Sequence, residues 1–134
     1  MHKLLIPGKP QPKQRARVTK SGHAYTPQAT RDYEATVASI AEMSISEPLT
    51  GPILLVVRVA YEIPKSWSTA KKYEHESAYH IQPPDLDNVI KSIKDGLSGI
   101  AYHDDKQVAV IEASKFWTPG PSFVSVIIES VGKP

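Results

Sequence analysis

The sequence predicts an α+β fold in which two main helices pack on a mixed four-stranded β-sheet. Four segments have the β-branched or alternating apolar residues of strands, and two repeat apolar residues at helical spacing. Their order along the chain is β-α-β-α-β-β, which is typical of an α+β domain. The chain of 134 residues is long enough for one sizeable core. Because no internal repeat or linker divides it, we expect residues 1–134 to form a single domain.

The first half of the chain is predicted to contain a short strand, an irregular segment and a long helix. Residues 4–6 form the strand. Residues 7–28 are rich in proline and form a loop or irregular hairpin, with a turn at Ser21-Gly22. Thr26-Pro27 combines a hydroxyl N-cap with proline at the first helical position. The apolar spacing that follows predicts an amphipathic helix over residues 27–45.

The second half is predicted to alternate between strands and helices. Residues 53–63 are rich in β-branched residues and form a long strand. A short helix near residues 68–77 precedes an amphipathic helix over residues 87–98. The last two strands are predicted at residues 108–116 and 123–131.

Composition limits the class of protein. The chain contains no cysteine, which excludes disulfides and cysteine-ligated zinc. No apolar run reaches membrane-spanning length, and the one at residues 4–6 is too short for a signal peptide. We therefore expect a protein of the reducing cytoplasm that does not act at a membrane.

The net charge of +2 conceals a strong asymmetry along the chain. Residues 1–31 contain basic residues and no acid, so they carry +7 and leave −5 for the remainder. These basic residues are Lys3, Lys9, Lys13, Arg15, Arg17, Lys20 and Arg31. A basic arm on a slightly acidic body is typical of a protein that binds a polyanion. Charge alone leaves the alternative of a solvated, flexible loop.

Acidic residues are concentrated in one short stretch. Five of the fourteen in the chain are Asp85, Asp87, Asp95, Asp104 and Asp105. Carboxylates brought together repel one another unless a cation lies between them, and Mg²⁺ is commonly held by one or two carboxylates plus substrate phosphates. The stretch therefore indicates a metal-dependent enzyme that acts on phosphate.

Helical spacing places part of this stretch on one surface. Asp87 is the expected N-cap of the helix over residues 87–98, at the positive end of its dipole. Lys91 and Asp95 follow at intervals of four residues, so all three share one stripe. Each feature also has a simpler interpretation. Asp87 is then only a cap, the stripe a surface ion-pair ladder, and Asp104-Asp105 a turn before a strand.

Other metal motifs fit less well. Asp85 does not begin a calcium-binding loop, because Val89 and Ile90 occupy positions that require an oxygen ligand and a glycine. His75 and His80 have no cysteine or third histidine nearby, so both are expected to be surface histidines.

Several stretches together carry a family resemblance. The acidic ones are Pro84-Asp85-Leu86-Asp87-Asn88-Val89-Ile90-Lys91, Asp95-Gly96-Leu97 and Asp104-Asp105-Lys106-Gln107-Val108. Those of the arm and first helix are Lys13-Gln14-Arg15-Ala16-Arg17, Tyr25-Thr26-Pro27 and Tyr33-Glu34. With these residues the sequence resembles the RusA family of Holliday junction resolvases. The acidic motif with its helical lysine is the more specific part.

The resemblance implies a small homodimeric endonuclease of bacteria and their prophages, acting in DNA recombination and repair. Such an enzyme depends on Mg²⁺, with Mn²⁺ as a substitute, binds four-way DNA junctions by shape and nicks two opposed strands. Its implied catalytic residues are Asp85, Asp87, Lys91 and Asp105. Its implied metal ligands are Asp85, Asp87 and Asp105, with Asp104 as a further candidate. Asp95 corresponds to a supporting residue.

On this hypothesis the arm binds DNA. Its expected contacts to backbone phosphates are made by Lys13, Arg15, Arg17 and Lys20, and give affinity without sequence readout. The dimer interface is expected in the apolar stretches 53–59 and 123–131, which exceed what one small sheet must bury. Two alternatives remain: a non-catalytic DNA-binding module, and a nuclease that prefers flaps or other branched DNA.

Overall fold

Helices and a mixed sheet share one core, which confirms the predicted α+β class. The computed structural model describes residues 1–133. Its elements are β1 (His2–Pro7), β2 (Arg17–Val18), β3 (Ala24–Tyr25), α1 (Gln28–Ser44), β4 (Ile53–Glu62), α2 (Thr69–His75), α3 (Leu86–Leu97), β5 (Val108–Thr118) and β6 (Phe123–Ser130). One turn of 3₁₀-helix, Asp105–Gln107, precedes β5. The predicted irregular hairpin is the pair β2–β3, and the predicted short helix is α2.

The main sheet has the strand order β1-β6-β4-β5. β4 and β5 run parallel, whereas β6 is antiparallel to both β1 and β4. A parallel pair requires a crossover connection, and α2 and α3 lie within it. The crossover therefore returns the chain through α3, with its acidic residues, before β5 begins.

Alternate strand residues face the helices and form the core. The buried residues of β4 include Ile53, Leu55, Val57 and Val59, and those of β6 are Val124, Val126 and Ile128. The helices cover them with Tyr33, Val37 and Ala41 of α1 and with Val89, Ile93 and Leu97 of α3. The intervening strand residues lie on the opposite face, where Val56 is half-buried and Leu5 is 60% exposed.

The two main helices approach each other closely at Gly96. A Cβ atom built on this residue would lie 2.8 Å from Cβ of Val37 and 3.0 Å from the carbonyl oxygen of Glu34. Neither distance leaves room for a methyl group. Glycine is therefore required at this point of α3 for α1 to pack against it.

α1 begins after Pro27, which occupies the N-cap position in an extended conformation with ψ of 146°. No side chain caps the helix, so the expected Thr26 cap is wrong. Since ψ at Pro27 is not helical, the proline lies just outside the helix instead of at its first position. None of the helices within residues 1–133 is both long and apolar enough to cross a membrane.

Residues 77–80 cover part of the outer edge of β5. The N–H of Ser77 donates to the carbonyl oxygen of Trp117 at 3.2 Å, and that of His80 to Lys115 at 3.0 Å. This pairing buries His80, which is only 4% exposed, so the expectation of a surface histidine is wrong at this position. His75 is half-buried.

Replacing Gly96 with alanine should destabilise the fold. Alanine is favoured over glycine in a helix interior by about 1 kcal/mol, but overpacking a core costs typically about 1–3 kcal/mol. We expect a net loss of about 1 kcal/mol, seen as a lower urea midpoint by circular dichroism. Gly132→Ala is the control, because no atom lies within 4 Å of its added Cβ. A Gly96→Ala midpoint at or above that of the wild type would contradict the close packing.

Candidate active site

A lysine of β5 holds the segment that leads into α3. Nζ of Lys115 donates to the carbonyl oxygens of Gln82 at 2.5 Å and Pro84 at 2.8 Å. The peptide bond between Pro83 and Pro84 is cis. Asp85 follows directly, with φ of −65° and ψ of 141°. The backbone on which Asp85 is mounted is therefore fixed to the sheet.

α3 begins before Asp87, so the N-cap predicted at this residue is wrong. The N–H groups of Asn88 and Val89 donate to the carbonyl oxygen of Asp85, at 3.2 and 3.3 Å, which makes Asp85 the N-cap. Asp87 lies in the first turn, where its Oδ1 accepts a hydrogen bond from the N–H of Asn88 at 3.0 Å. Both aspartates are exposed at the end of the helix where the dipole favours negative charge.

Lys91 joins two carboxylates from different parts of the chain. Its Nζ lies 2.8 Å from Oδ1 of Asp95, which is the predicted pair along the helix, and 3.3 Å from Oδ2 of Asp105. Four helical residues span about 6 Å, so the backbone of Lys91 lies roughly one turn along α3 from Asp87. The structure thus brings Asp105 to the helix that begins with Asp85.

The two adjacent aspartates of the next loop make different contacts. Oδ1 of Asp104 accepts a hydrogen bond from the N–H of Lys106 at 2.9 Å, and Oε1 of Gln107 accepts one from the N–H of Asp104 at 3.0 Å. The side chains of Asp104 and Gln107 also form a reciprocal capping box for the 3₁₀ turn. The Asp104 carboxylate therefore stabilises the loop, whereas that of Asp105 is bonded to Lys91.

Gln107 fixes the position of this loop. Its Nε2 donates to the carbonyl oxygens of Leu49 at 3.0 Å and Gly51 at 3.1 Å, in the segment before β4. Its Oε1 also accepts the N–H of His103 at 2.8 Å. The loop that presents Asp105 is consequently anchored to the start of the neighbouring strand.

Lys13 connects the basic arm to the same carboxylates. Its Nζ lies 2.6 Å from Oε1 of Glu34 on α1 and 3.0 Å from Oδ2 of Asp95. The residues Glu34, Lys13, Asp95, Lys91 and Asp105 therefore form a continuous row of alternating charges, here named the charge chain. Lys13 was expected to contact DNA phosphate; that contact stays a prediction, and its ammonium already has two carboxylate partners.

Of the other predicted DNA-contact residues of the arm, Arg17 and Lys20 lie on the exposed hairpin β2–β3, and Arg15 lies just before it. Arg15, Arg17 and Lys20 are all exposed. The hairpin is closed by a hydrogen bond from the N–H of Thr19 to the carbonyl oxygen of His23 at 2.8 Å. The predicted turn is confirmed by Gly22, whose φ of 85° is in the left-handed region. The exposed basic side chains of the hairpin are available to bind DNA, and these contacts stay a prediction.

Sequence reasoning missed several residues that hold the site together. Buried Ser92 donates from Oγ to the carbonyl oxygen of Gln11, 2.6 Å away, and so ties the arm to α3. Ser92 could have been noticed in the sequence, because it is a polar residue beside Ile93 on the apolar stripe of α3. The contacts of Lys13 and Lys115 had no such signal, because their partners lie 21 or more residues away along the chain.

The charge chain shifts the pKa values of its members in opposite directions. Burial acts to raise the pKa of Asp95, but hydrogen bonds from Lys91 and Lys13 outweigh it and hold that pKa below its ordinary value. The hydrogen bond to Asp95 raises the pKa of Lys91. Burial acts to lower the pKa of Lys13, and Glu34 and Asp95 outweigh it, so this pKa is raised. All three groups are therefore charged at neutral pH.

The carboxylates are of a type that suits a hard cation. Asp85, Asp87 and Asp105 offer only oxygen ligands, which Mg²⁺ and Mn²⁺ prefer. Within residues 1–133, no three acidic, histidine or cysteine side chains are close enough together to hold a metal as they stand. Metal binding by these residues, and by Asp104, stays a prediction. Carboxylates, a lysine and a nearby basic hairpin form a site suited to an enzyme that acts on a nucleic acid phosphate.

Comparison with known proteins shows which family the chain belongs to. The model of the family described as Endodeoxyribonuclease RusA matches residues 7–129, which include the arm, α3 and the loop before β5. The chain belongs to this family, as its motifs indicate. A relative from Bacillus subtilis (strain 168), described as "Uncharacterized protein YqaN", is 33% identical over 114 residues, which cover 81% of this chain and 80% of the relative.

The charge chain should stabilise the protein in a defined pH range. Because the folded pKa of Asp95 is lowered, its contribution is present above the unfolded value of about 3.9 and is lost as pH falls through the folded one. Asp95→Asn should lower Tm by roughly 2–4 °C between about pH 5 and 9, and the difference should shrink below about pH 4. Scanning calorimetry across pH measures this.

Glu42→Gln is the matched control, since Glu42 is exposed on α1 and forms no ion pair within the described part of the chain. It should leave Tm unchanged at every pH. A Tm difference for Asp95→Asn that persists undiminished at pH 3 would show that the ion pairs are not its cause.

Proposed function

We propose that this member of the RusA family is a Mg²⁺-dependent endonuclease that resolves four-way DNA junctions in recombination and repair. The observation that carries the proposal is the position of Lys91 between Asp95 and Asp105, about one helical turn from Asp87. A surface ion-pair ladder would end at Asp95. A second carboxylate, delivered by a separately anchored loop, is what a catalytic site requires. A DNA substrate also favours the cytoplasm as the location.

In this proposal Asp85, Asp87 and Asp105 hold the metal, and Mn²⁺ can replace Mg²⁺. When bound, the metal supplies a Lewis acid for the phosphate and lowers the pKa of a water molecule that attacks phosphorus. Lys91 turns its ammonium toward the phosphate and stabilises the negative charge that develops there. Asp105, released from its ion pair with Lys91, then becomes available as a ligand.

Asp95 supports this lysine without contacting substrate, and Lys13 in turn holds Asp95. Asp95 uses one oxygen for Lys91 and the other for Lys13, so its orientation is fixed from both sides. A lysine stem is flexible, and a fixed partner reduces the number of conformations that its ammonium samples. Asp95 thus limits how far the ammonium of Lys91 must move when DNA arrives.

The basic hairpin is proposed to hold the DNA backbone. Arg17 and Lys20 are exposed on the hairpin β2–β3, and exposed Arg15 lies just before it. Lys13 stands at the base of the same arm, where phosphate would compete with Glu34 and Asp95 for its ammonium. Such contacts position a branched DNA without reading its sequence.

A second copy of the chain is proposed to cover the open face of the sheet. The stretches 53–59 and 123–131 alternate in burial, so half of their residues belong to the core of the single chain. The other half, including Val56 and Ile127, lies on the opposite face beside exposed Leu5. Two symmetric nicks require two sites, which a two-fold dimer provides.

Neutralising the site carboxylates should abolish cleavage and preserve binding. We expect Asp85→Asn and Asp105→Asn to cut a synthetic four-way junction roughly 100-fold or more slowly with Mg²⁺, because a ligand is lost. Gel-shift affinity for the junction should persist. Asp32→Asn on α1 is the control and should cut normally. Wild-type rates for Asp105→Asn would refute the assignment of this carboxylate.

Mixed dimers test the symmetry of the reaction. Wild-type protein re-associated with excess Asp105→Asn should convert a closed junction mainly to a singly nicked product. Full resolution at an undiminished rate by the mixture would argue against two cooperating sites. Binding without any cleavage by the wild type would favour a DNA-binding module, and faster cutting of flaps would favour a broader nuclease.

Removing charge from the arm, at Arg15 and at Arg17 of the hairpin, should weaken the dependence of junction affinity on salt. Each phosphate contact contributes a slope of about −0.9 in log affinity against log salt. Arg15→Met with Arg17→Met should therefore flatten the slope by about 2, while Lys65→Met, on an exposed loop, serves as the control. Lys13→Met, measured alongside, shows whether this lysine also contacts phosphate. An unchanged slope for the double variant would remove the hairpin from the DNA interface.

A further inference from the structure

The stretch of residues 81–84 leads from the edge of the sheet to Asp85 and has few ways to be held in place. Pro83 and Pro84 have no backbone N–H, so their backbone can accept hydrogen bonds but cannot donate them. Within residues 1–133, the stretch is bonded only by Nζ of Lys115, through two of its carbonyl oxygens. The position of the stretch therefore depends on one side chain.

The bond from Lys115 to Pro84 acts directly on the backbone of Asp85. The carbonyl oxygen of Pro84 belongs to the planar peptide group that ends at Cα of Asp85. Nζ of Lys115 holds this oxygen at 2.8 Å and that of Gln82 at 2.5 Å, so the chain is tied on both sides of Pro83. The two bonds thus restrict the point from which the side chain of Asp85 projects.

The carboxylate of Asp85 is not used by these contacts. Asp85 caps α3 through its carbonyl oxygen, and its side chain makes no capping hydrogen bond. No ion pair within the described residues includes Asp85, although the ammonium of Lys115 bonds the residue before it. A fixed backbone with an exposed carboxylate suits a ligand that must be in place before a metal binds.

Lys115 occupies an unusual position for a lysine. It is half-buried on the helix-facing side of β5, paired with buried Val59 of β4 and two residues before buried Trp117. Lysine is seldom placed on an apolar face, because its charge loses hydration there. Among residues 1–133 it forms no ion pair with a carboxylate, and its ammonium bonds the two carbonyl oxygens instead. These two bonds account for a lysine at this position.

The part of β5 that carries Lys115 is itself firmly held. The carbonyl oxygen of Lys115 accepts the N–H of His80 at 3.0 Å. The ring of His80 packs on those of Tyr61 and Trp117, with centroids 4.0 and 4.4 Å away, and all three residues are only 4–5% exposed. Lys115 is thus mounted on a well-packed part of the sheet, and its bonds transmit that position to Asp85.

We propose that Lys115 is a positioning residue for cleavage, which holds the peptide group before Asp85 and so keeps the Asp85 carboxylate where a metal ion can bind it. This inference rests on the proposed function, which supplies the role of Asp85. Lys115 contacts neither metal nor phosphate and acts only through Asp85. Its loss should therefore impair the chemical step without weakening DNA binding, and should have no effect once Asp85 is no longer a ligand.

Amide hydrogen exchange, followed by NMR, tests this support without metal or DNA. The N–H groups of Asn88 and Val89 are bonded to the carbonyl oxygen of Asp85, so their exchange reports how firmly the start of α3 is held. In Lys115→Met they should exchange roughly 10-fold faster than in the wild type. The N–H of Ser98, at the other end of α3, should not change. Wild-type exchange at both Asn88 and Val89 in Lys115→Met overturns the proposal.

The kinetics of junction cleavage test the role of Lys115 in the reaction. Lys115→Met should lower kcat with Mg²⁺ roughly 10- to 100-fold, as loss of a group that orients a metal ligand does, and leave KM for the junction unchanged. Lys72→Met is the matched control, because Lys72 is also half-buried and forms no ion pair within the described part of the chain. It should match the wild type in kinetics and in amide exchange. A wild-type kcat for Lys115→Met, or a loss confined to KM, contradicts the positioning role.

A double-mutant cycle with Asp85→Asn shows whether Lys115 acts through Asp85. Residues that act as a unit have non-additive effects on rate. In single-turnover cleavage, Lys115→Met should therefore cost no further rate when Asp85→Asn is already present. A merely structural role would slow both backgrounds alike. An added loss in the Asp85→Asn background as large as that in the wild type would refute the inference.

Amide exchange and cleavage together separate failure of this inference from failure of the proposed function. If the wild type cuts no branched DNA, the proposed function fails, and amide exchange still shows whether Lys115 fixes the start of α3. If the wild type cuts and Lys115→Met matches it in exchange and in kcat, only the inference fails. If Lys115→Met does not fold, Lys115→Gln, which has a shorter and uncharged side chain, takes its place in each measurement.

Discussion

The close crossing of α1 and α3 at Gly96 is the contact on which the rest of the site depends. Because this residue has no side chain, Val37 and the backbone of Glu34 pack directly against α3. The neighbouring Asp95 is thereby near enough to α1 for Lys13 to bond both it and Glu34. A single position in the core thus sets the distance between the helix that carries the lysine and the helix that supports it. The packing of the apolar core at Gly96 therefore also determines the geometry of the polar site.

Two independent sets of contacts hold the ammonium of Lys91. One is the charge chain, in which Asp95 is fixed by Lys13 before it reaches Lys91. The other is the loop of Asp105, which Gln107 ties to the segment before β4. A lysine on a flexible stem therefore has partners on both sides, each held by a different part of the fold. In the proposed mechanism, preorganisation of this kind would allow the charge of Lys91 to act strongly on a transition state.

Local patterns predict most of the fold, because they depend on residues that are close in sequence. The apolar stripe of α3 and the alternation along β4 are visible at spacings of two to four residues, and so is the Lys91–Asp95 pair. The first residue of α3 is not visible in this way. Asp85 and Asp87 are both suitable N-cap residues, and only the backbone conformation shows that Asp85 is the N-cap. The partners of Lys13 depend on the helix crossing, and the burial of His80 depends on pairing with β5. Neither has a local signal, so the sequence predicts which residues form the site but not the contacts that support them.

Lys115 links two regions that would otherwise move independently. Its ammonium bonds the carbonyl oxygens of Gln82 and Pro84, just before Asp85. A displacement of β5 at this point must therefore shift the backbone of Asp85 as well. β5 is an edge strand of the main sheet and lies outside the charge chain. The position of the first aspartate of the site thus depends on the sheet edge, whereas that of Lys91 depends on the helix crossing.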